Sequence, residues 1–365
     1  KYQYNGAMFK DSLNSISPYK PGKSIESIQK ISGKTDIIKL ASNENPLGPA
    51  VDISEIACHS ERYPDYTTHP FIPQLARHLG VDPTQLILGN GSDEILQMVA
   101  LACISPGDEI LSSSCTFSEY KFVAQITGAT YVEAPMKDHT VHVESIINAI
   151  TKQTKIIFIA NPNNPTGTII THDDVAQILN AASSTTLVVL DEAYAEYATH
   201  PDYPNAIDLI AQYPNLMVTR TFSKIYGLAA LRVGYGMAQA PIIQGIQKVR
   251  QPFNVNGLAL EAASMALKNH AFVERSLEIN RLGHSFLRDA LRPLDGHIPP
   301  SQANFLFIDF KTIHADALCD ALIQRGVIVR SMVGFGEPTA IRVTVGTENQ
   351  NQRFITELFE CLKQL

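Results

Sequence analysis

Between about Asp36 and Arg250, short apolar runs rich in β-branched residues alternate with longer stretches of helical character. The runs are LILG, EILSS, TYVEAP, KIIFIA, TLVVLDEA, LMVTRTFS and RVGYGMA. Such strand–helix alternation predicts a mostly parallel sheet covered by helices. The interior runs are almost continuous in Val, Ile and Leu, the pattern of strands buried on both faces. After PFNVN (Pro252 to Asn256) the pattern changes. The run LALEAASMALKNHAFVERSLEINRLGHSFLRDAL reads as helix, ANFLFIDF as a strand and HADALCDALIQRG as a helix. VIVRS and AIRVTVG read as short strands, and RFITELFECLKQL closes the chain as an amphipathic helix. Residues 1–35 are polar and turn-rich. The predicted organisation is an α/β protein: an arm over 1–35, a large domain over 36–250 with a mixed, mostly parallel seven-stranded sheet, and a smaller α+β domain over 251–365 onto which the arm packs.

Composition narrows the partners. The chain has 365 residues, 45% of them hydrophobic, and 29 basic against 36 acidic side chains give a net charge of −7. That balance offers no overall footprint for nucleic acid or an anionic membrane, so the expected partner is a small molecule. The cysteines (Cys58, Cys103, Cys115, Cys319 and Cys361) form no CxxC pair, as free thiols in a reducing compartment do. The longest apolar stretches fall short of the ~18–20 residues of a membrane span, and the opening KYQYNGAMFKDSLNS lacks a signal-peptide core. A cytoplasmic location is expected, with the natural start upstream of Lys1. The histidines show no zinc spacing, so no metal site is expected.

In open α/β sheets the ligand lies at the carboxyl ends of the strands, and four of those ends carry unusual loops. LILG leads into Asn90, Gly91, Ser92 and Asp93 and then a helix, a candidate phosphate cradle, although the glycines alone also suit an ordinary turn. KIIFIA runs into Asn161-Pro162-Asn163-Asn164-Pro165-Thr166-Gly167, a rigid loop able to hold an amide in a fixed direction. TLVVL ends in Asp191-Glu192-Ala193-Tyr194. An acid there needs a partner, unless Asp191 merely caps a helix. LMVTRTFS ends at Lys224, preceded by Thr221 and Ser223 and followed by Arg232; a lysine at such a convergence can attack a carbonyl, and a solvated surface lysine is the alternative. A phosphate cradle, an acid, hydroxyls and a lysine are what pyridoxal phosphate requires. GxGxxG and GxxxxGK[ST], the nucleotide motifs, are absent.

The blocks SNENPLGP, RYPDY, GNGSDEI, ANPNNPTGT, DEAYAEY, TFSKIYGLAALRVGYG, VRQPFNVN, ANFLF and RVTVGT resemble the fold-type-I aminotransferases. Within that family the resemblance is to the histidinol-phosphate aminotransferases, from SPYKPG to the last helix. It implies a homodimeric pyridoxal-phosphate enzyme of histidine biosynthesis that exchanges an amino group between histidinol phosphate and 2-oxoglutarate by a ping-pong route.

The resemblance also implies roles. Lys224 holds the cofactor as a Schiff base and moves the proton. Asp191 keeps the pyridine nitrogen protonated, Asn164 and Tyr194 bond the ring oxygen, and Tyr120 stacks on the ring. Ser92, Asp93, Thr221, Ser223 and Arg232 surround the phosphate, which Tyr63 reaches from the neighbouring subunit. Arg342 and Arg330 grip the substrate anions, while Tyr19 and Asn43 close over the substrate. For Arg330 a surface ion pair is the alternative. Cys115 and Glu119 depart from the family's usual Pro and apolar residue, and Glu119 is the departure expected to alter what the pocket accepts. Rival activities on the same fold are aromatic amino-acid transamination and threonine-phosphate decarboxylation. A non-catalytic regulator would carry a basic DNA-binding domain, for which the arm is too short.

Overall fold

The computed structural model describes residues 10, 12–13, 16, 24–57, 59–64 and 69–364. Its described strands, in chain order, are β1 (Ile38–Lys39), β2 (Leu86–Gly89), β3 (Glu109–Ser113), β4 (Thr130–Ala134), β5 (Thr154–Ala160), β6 (Leu187–Asp191), β7 (Leu216–Thr221), β8 (Gly234–Ala238), β9 (Phe305–Asp309), β10 (Val327–Ile328), β11 (Arg330–Ser331) and β12 (Ala340–Thr344). All seven runs read as strands between Asp36 and Arg250 join one sheet in the order β2-β8-β7-β6-β5-β3-β4. Only β8 runs against its neighbours β2 and β7.

The interior strands of the sheet are buried on both faces, as their nearly continuous apolar runs require, while the edge strand β4 keeps Thr130 and Glu133 exposed. Successive side chains of β5 alternate between faces. Ile156 and Phe158 pack with Ile95, Val99 and Val123 on one side. Ile157 and Ile159 pack with Val175, Ile178 and Leu209 on the other.

A second core lies toward the C-terminus. There β11, β12 and β9 form an antiparallel sheet, and Leu306, Ile308, Ile341 and Val343 pack on Leu318, Leu322, Phe354 and Leu358. These last four come from the helices Ala315–Gln324 and Glu348–Leu362.

The structure departs from the sequence pattern in two places. The long helical run is two helices, Gly257–Ala266 and His270–Leu291. Asn269 divides them: its side chain accepts from the Phe272 amide and caps the second helix, and it also donates to the Ala50 carbonyl. The supposedly turn-rich arm contains a helix, Ile25–Ser32, capped by Ser24 and closed by Gly33 at φ 68°. Its Ile28 packs with Ala41, Ile323 and Ile328, and β1 then pairs in parallel with β10. No helix among the described residues is long and apolar enough to cross a membrane.

Candidate active site

A cavity of about 530 Å³ opens where the chain leaves β5, β6 and β7. Parallel pairing aligns those exits, since the Asn161 amide donates to the Asp191 carbonyl and the Glu192 amide to the Thr219 carbonyl. Ser92, Asp93, Asn164, Asp191, Tyr194, Thr221, Ser223, Lys224 and Arg232 all line it, and so do Asn43, Arg330 and Arg342. All four loops singled out in the sequence meet here. Tyr120 and Tyr63 do not line the cavity, and Tyr19 lies outside the described residues.

Asp191 sits at the cavity floor and is almost fully buried. Tyr120 Oη donates to its Oδ2 at 2.8 Å and Thr219 Oγ1 to its Oδ1 at 2.9 Å. Burial pushes the carboxyl from the ordinary 3.8 up to about 6, against the pull of those two hydrogen bonds.

Those contacts correct the reading of Tyr120. It has no exposed surface, and its ring stacks on Phe158 at 4.8 Å within the core. The aromatic of the TFSEY block that faces the cavity is Phe117, set edge-on to Tyr120. The helix starting at Glu119 turns Tyr120 toward the sheet, so it orients Asp191 from behind and cannot stack on a ligand.

At the N-terminus of helix Ser92–Cys103 the chain enters through Gly91 at φ +80°. A Cβ at Gly91 would lie 2.6 Å from Arg232 Nη2, and one at Gly234 would lie 2.5 Å from the Ser92 amide nitrogen. Only glycine lets Arg232 and the helix end approach so closely. Arg232 bonds Asp93 at 2.9 Å, and Thr221 Oγ1 donates to Ser223 Oγ at 2.9 Å. The result is a compact group of helix N–H dipole, hydroxyls and guanidinium suited to a phosphate.

Lys224 Nζ stands 5.7 Å from the centre of the Tyr194 ring, and Asn43 Nδ2 donates to Tyr194 Oη at 2.9 Å. At the opposite wall, β11 and β12 place Arg330 directly across from Arg342. Arg342 is buried, bonds Asn164 Oδ1 and the Ala41 carbonyl, and lies over the Phe305 ring. No carboxylate among the described residues is ion-paired with Arg330, which disfavours the surface-pair alternative.

The sequence reading missed Phe117, Thr219 and Gln97. Thr219 is buried in the interior strand β7, and its meeting with Asp191 depends on the β6–β7 register, which no local pattern encodes.

The family model for class I and II aminotransferases matches residues 35–358. The chain belongs to that family. It is similar, at 44% identity over 97% of its length and 98% of the relative's, to a histidinol-phosphate aminotransferase of Geobacillus sp.. A histidinol-phosphate aminotransferase of Moorella thermoacetica is 45% identical over 97% of this chain and 92% of its own. Among solved structures, that of the Sinorhizobium meliloti histidinol-phosphate aminotransferase in complex with pyridoxal-5'-phosphate superposes with a TM-score of 0.89 at 25% identity, covering 99% of both chains. As an aminotransferase, the chain has its reactive lysine candidate, Lys224, in the same cavity as its two anion-binding arginine candidates.

Proposed function

We propose that this aminotransferase moves the amino group of L-histidinol phosphate to 2-oxoglutarate, in the cytoplasm, on pyridoxal phosphate. The observation that carries the proposal is the pairing of Arg330 with Arg342 across two strands, in the cavity that also holds Lys224 and the anion cradle. The residues fit the cofactor. The cradle that a Cβ would fill at Gly91 or Gly234 suits its phosphate, and the buried Asp191 suits a ring nitrogen that must stay protonated. When bound, pyridoxal phosphate supplies an electron sink for the carbanion that forms when the substrate loses its α-proton.

The chain's own residues do the rest. Lys224 is the amine that holds the cofactor and, once released, the base that moves the α-proton. Asp191, fixed by Tyr120 and Thr219, would set the charge of the ring, and Phe117, on the cavity wall, would supply an aromatic surface for it. Asn164 and Tyr194 would hold the ring oxygen as donors, with Tyr194 braced by Asn43. Arg342 and Arg330 take the substrate phosphate in one half-reaction and the carboxylate of the 2-oxo acid in the other; a guanidinium meets both anions with a fork of parallel donors.

Tyr63 is 82% exposed and stacks on Phe253 at 4.8 Å, and neither ring lines the cavity of its own chain. Its place is the phosphate of a partner subunit in a homodimer. The catalytic large domain spans 36–250, and the small domain 251–365 with the arm brings the arginines to it.

Turnover of histidinol phosphate, phenylalanine and threonine phosphate with 2-oxoglutarate tests the substrate. The expected result is kcat/KM for histidinol phosphate about a hundredfold above that for phenylalanine, since a phosphate brings more charge and one more acceptor oxygen to the arginine pair than phenylalanine's single carboxylate. Turnover of phenylalanine alone, or carbon dioxide released from threonine phosphate, would sink the assignment.

The elevated Asp191 carboxyl also makes a stability prediction. The native group keeps its proton up to about pH 6, whereas the unfolded group releases it near 3.8. Native stability therefore falls as pH rises through that window. Asp191→Asn in the cofactor-free protein removes that cost. Urea titrations should find the variant about 2–3 kcal/mol more stable at pH 8 and the gain shrinking toward pH 4. A gain independent of pH would contradict the burial argument.

A further inference from the structure

Glu119 is the carboxylate of this cavity that the reaction chemistry does not use. The other acids of the wall are engaged: Asp93 is paired with Arg232 at 2.9 Å, and Asp191 is bonded by Tyr120 and Thr219. Glu119 opens the helix Glu119–Thr127 and is half-buried. It faces the cavity beside Phe117 and Phe122. The Gln97 amide donates to its Oε1 at 3.2 Å, and none of the ion pairs among the described residues involves it. Burial, with Asp93 adding to it, raises its carboxyl above the usual range against the pull of the Gln97 bond. A carboxylate bonded by an amide and held partly out of water by two aromatic neighbours, with no ion-paired cation among the described residues to offset the cost, is poised for a donor carried in by a ligand.

We infer that Glu119, propped by Gln97, is the specificity-determining residue that receives a ring N–H of the substrate's imidazole. The inference rests on the substrate reading proposed above. It divides the cavity into two recognition poles. Arg330 and Arg342 take the anion, and Glu119 takes a weakly basic heteroaromatic ring. A phenyl ring brought to the same wall would strip water from the carboxylate and return no hydrogen bond, a penalty that disfavours aromatic amino acids. The side-chain carboxylate of glutamate would meet like charge there, so Glu119 costs affinity for the amino donor while it selects the phosphate substrate.

The variants Glu119→Leu and Glu119→Gln test this on the holoenzyme, with histidinol phosphate, phenylalanine and glutamate as separate amino donors. For Glu119→Leu, kcat/KM for histidinol phosphate is expected to fall about 10- to 100-fold, mostly through KM, as for loss of a hydrogen bond to a charged group. The values for phenylalanine and glutamate are expected to rise. Glu119→Gln keeps an acceptor oxygen and loses the charge, so its fall is expected to be smaller, with glutamate still gaining. A variant in which all three substrates fall together has lost structure and not a contact, and that pattern in both variants overturns the inference. So does unchanged histidinol phosphate turnover in Glu119→Leu beside an active wild type. A wild type that does not turn over histidinol phosphate overturns the substrate reading, and this inference with it.

Discussion

Lys224→Ala is expected to lower turnover by about four orders of magnitude or more while leaving the protein folded. Proton transfer by a positioned side chain is itself worth roughly 10²- to 10⁴-fold, and the same amine also holds the cofactor. The loss is chemical and not structural. Lys224 lines the cavity, makes no ion pair among the described residues, and meets Tyr194 only across 5.7 Å. Its truncation should therefore change unfolding free energy by less than about 1 kcal/mol. The checks are steady-state rates, the visible absorbance of the cofactor-loaded protein, and urea unfolding. The visible band should vanish or move while the unfolding midpoint stays in place. An unchanged spectrum would show that another amine holds the cofactor.

Arg342→Lys carries the second large effect. The guanidinium is buried within β12, where it bonds Asn164 Oδ1 and the Ala41 carbonyl and lies over Phe305. Its planar fork can do this and still present donors to an anion. An ammonium group on a flexible stem offers neither the fork nor the stacking face. Keeping the charge and losing the geometry is expected to cost about a hundred- to a thousandfold in kcat/KM, felt with both histidinol phosphate and glutamate because both anions use this residue. Arg330→Lys should cost less, since Arg330 is less buried and has no such scaffold. Equal, small losses at the two positions would mean that the anion sits elsewhere.

Much of this was legible in the sequence, and the exceptions have physical reasons. Strands four to seven residues long stand out as short β-rich runs between helical stretches, and all seven of the main sheet are legible from LILG to RVGYGMA. The two-residue pairing of Ile38–Lys39 with Val327–Ile328 is too short for any periodicity. The loops after β2, β5, β6 and β7 were recognisable because each carries Gly, Pro, Asn, acid or Lys where an apolar strand gives out.

Register was not recognisable. Nothing local in the chain says that Asp191 lies level with Thr219 or Arg330 with Arg342. Tyr120 was misplaced for a related reason. Phe117 and Tyr120 stand three residues apart in one block, and which of them faces the ligand depends on where the next helix begins. A start at Glu119 sends Tyr120 into the core behind Asp191, where its hydroxyl serves as a fixed donor. The net charge of −7 likewise says nothing of a cavity that gathers Arg232, Arg330 and Arg342.

The central claim is that one lysine at the end of β7 holds the cofactor at the meeting point of these loops. Borohydride reduction of the cofactor-loaded protein fixes the cofactor's carbonyl carbon to the amine that carries it, and digestion with mass spectrometry then locates the added pyridoxyl phosphate mass. The account predicts that mass on the peptide containing Thr221 to Tyr226, at Lys224, with close to one per chain. Finding it at Lys121, Lys248 or any other lysine, with Lys224 unmodified, would contradict the account.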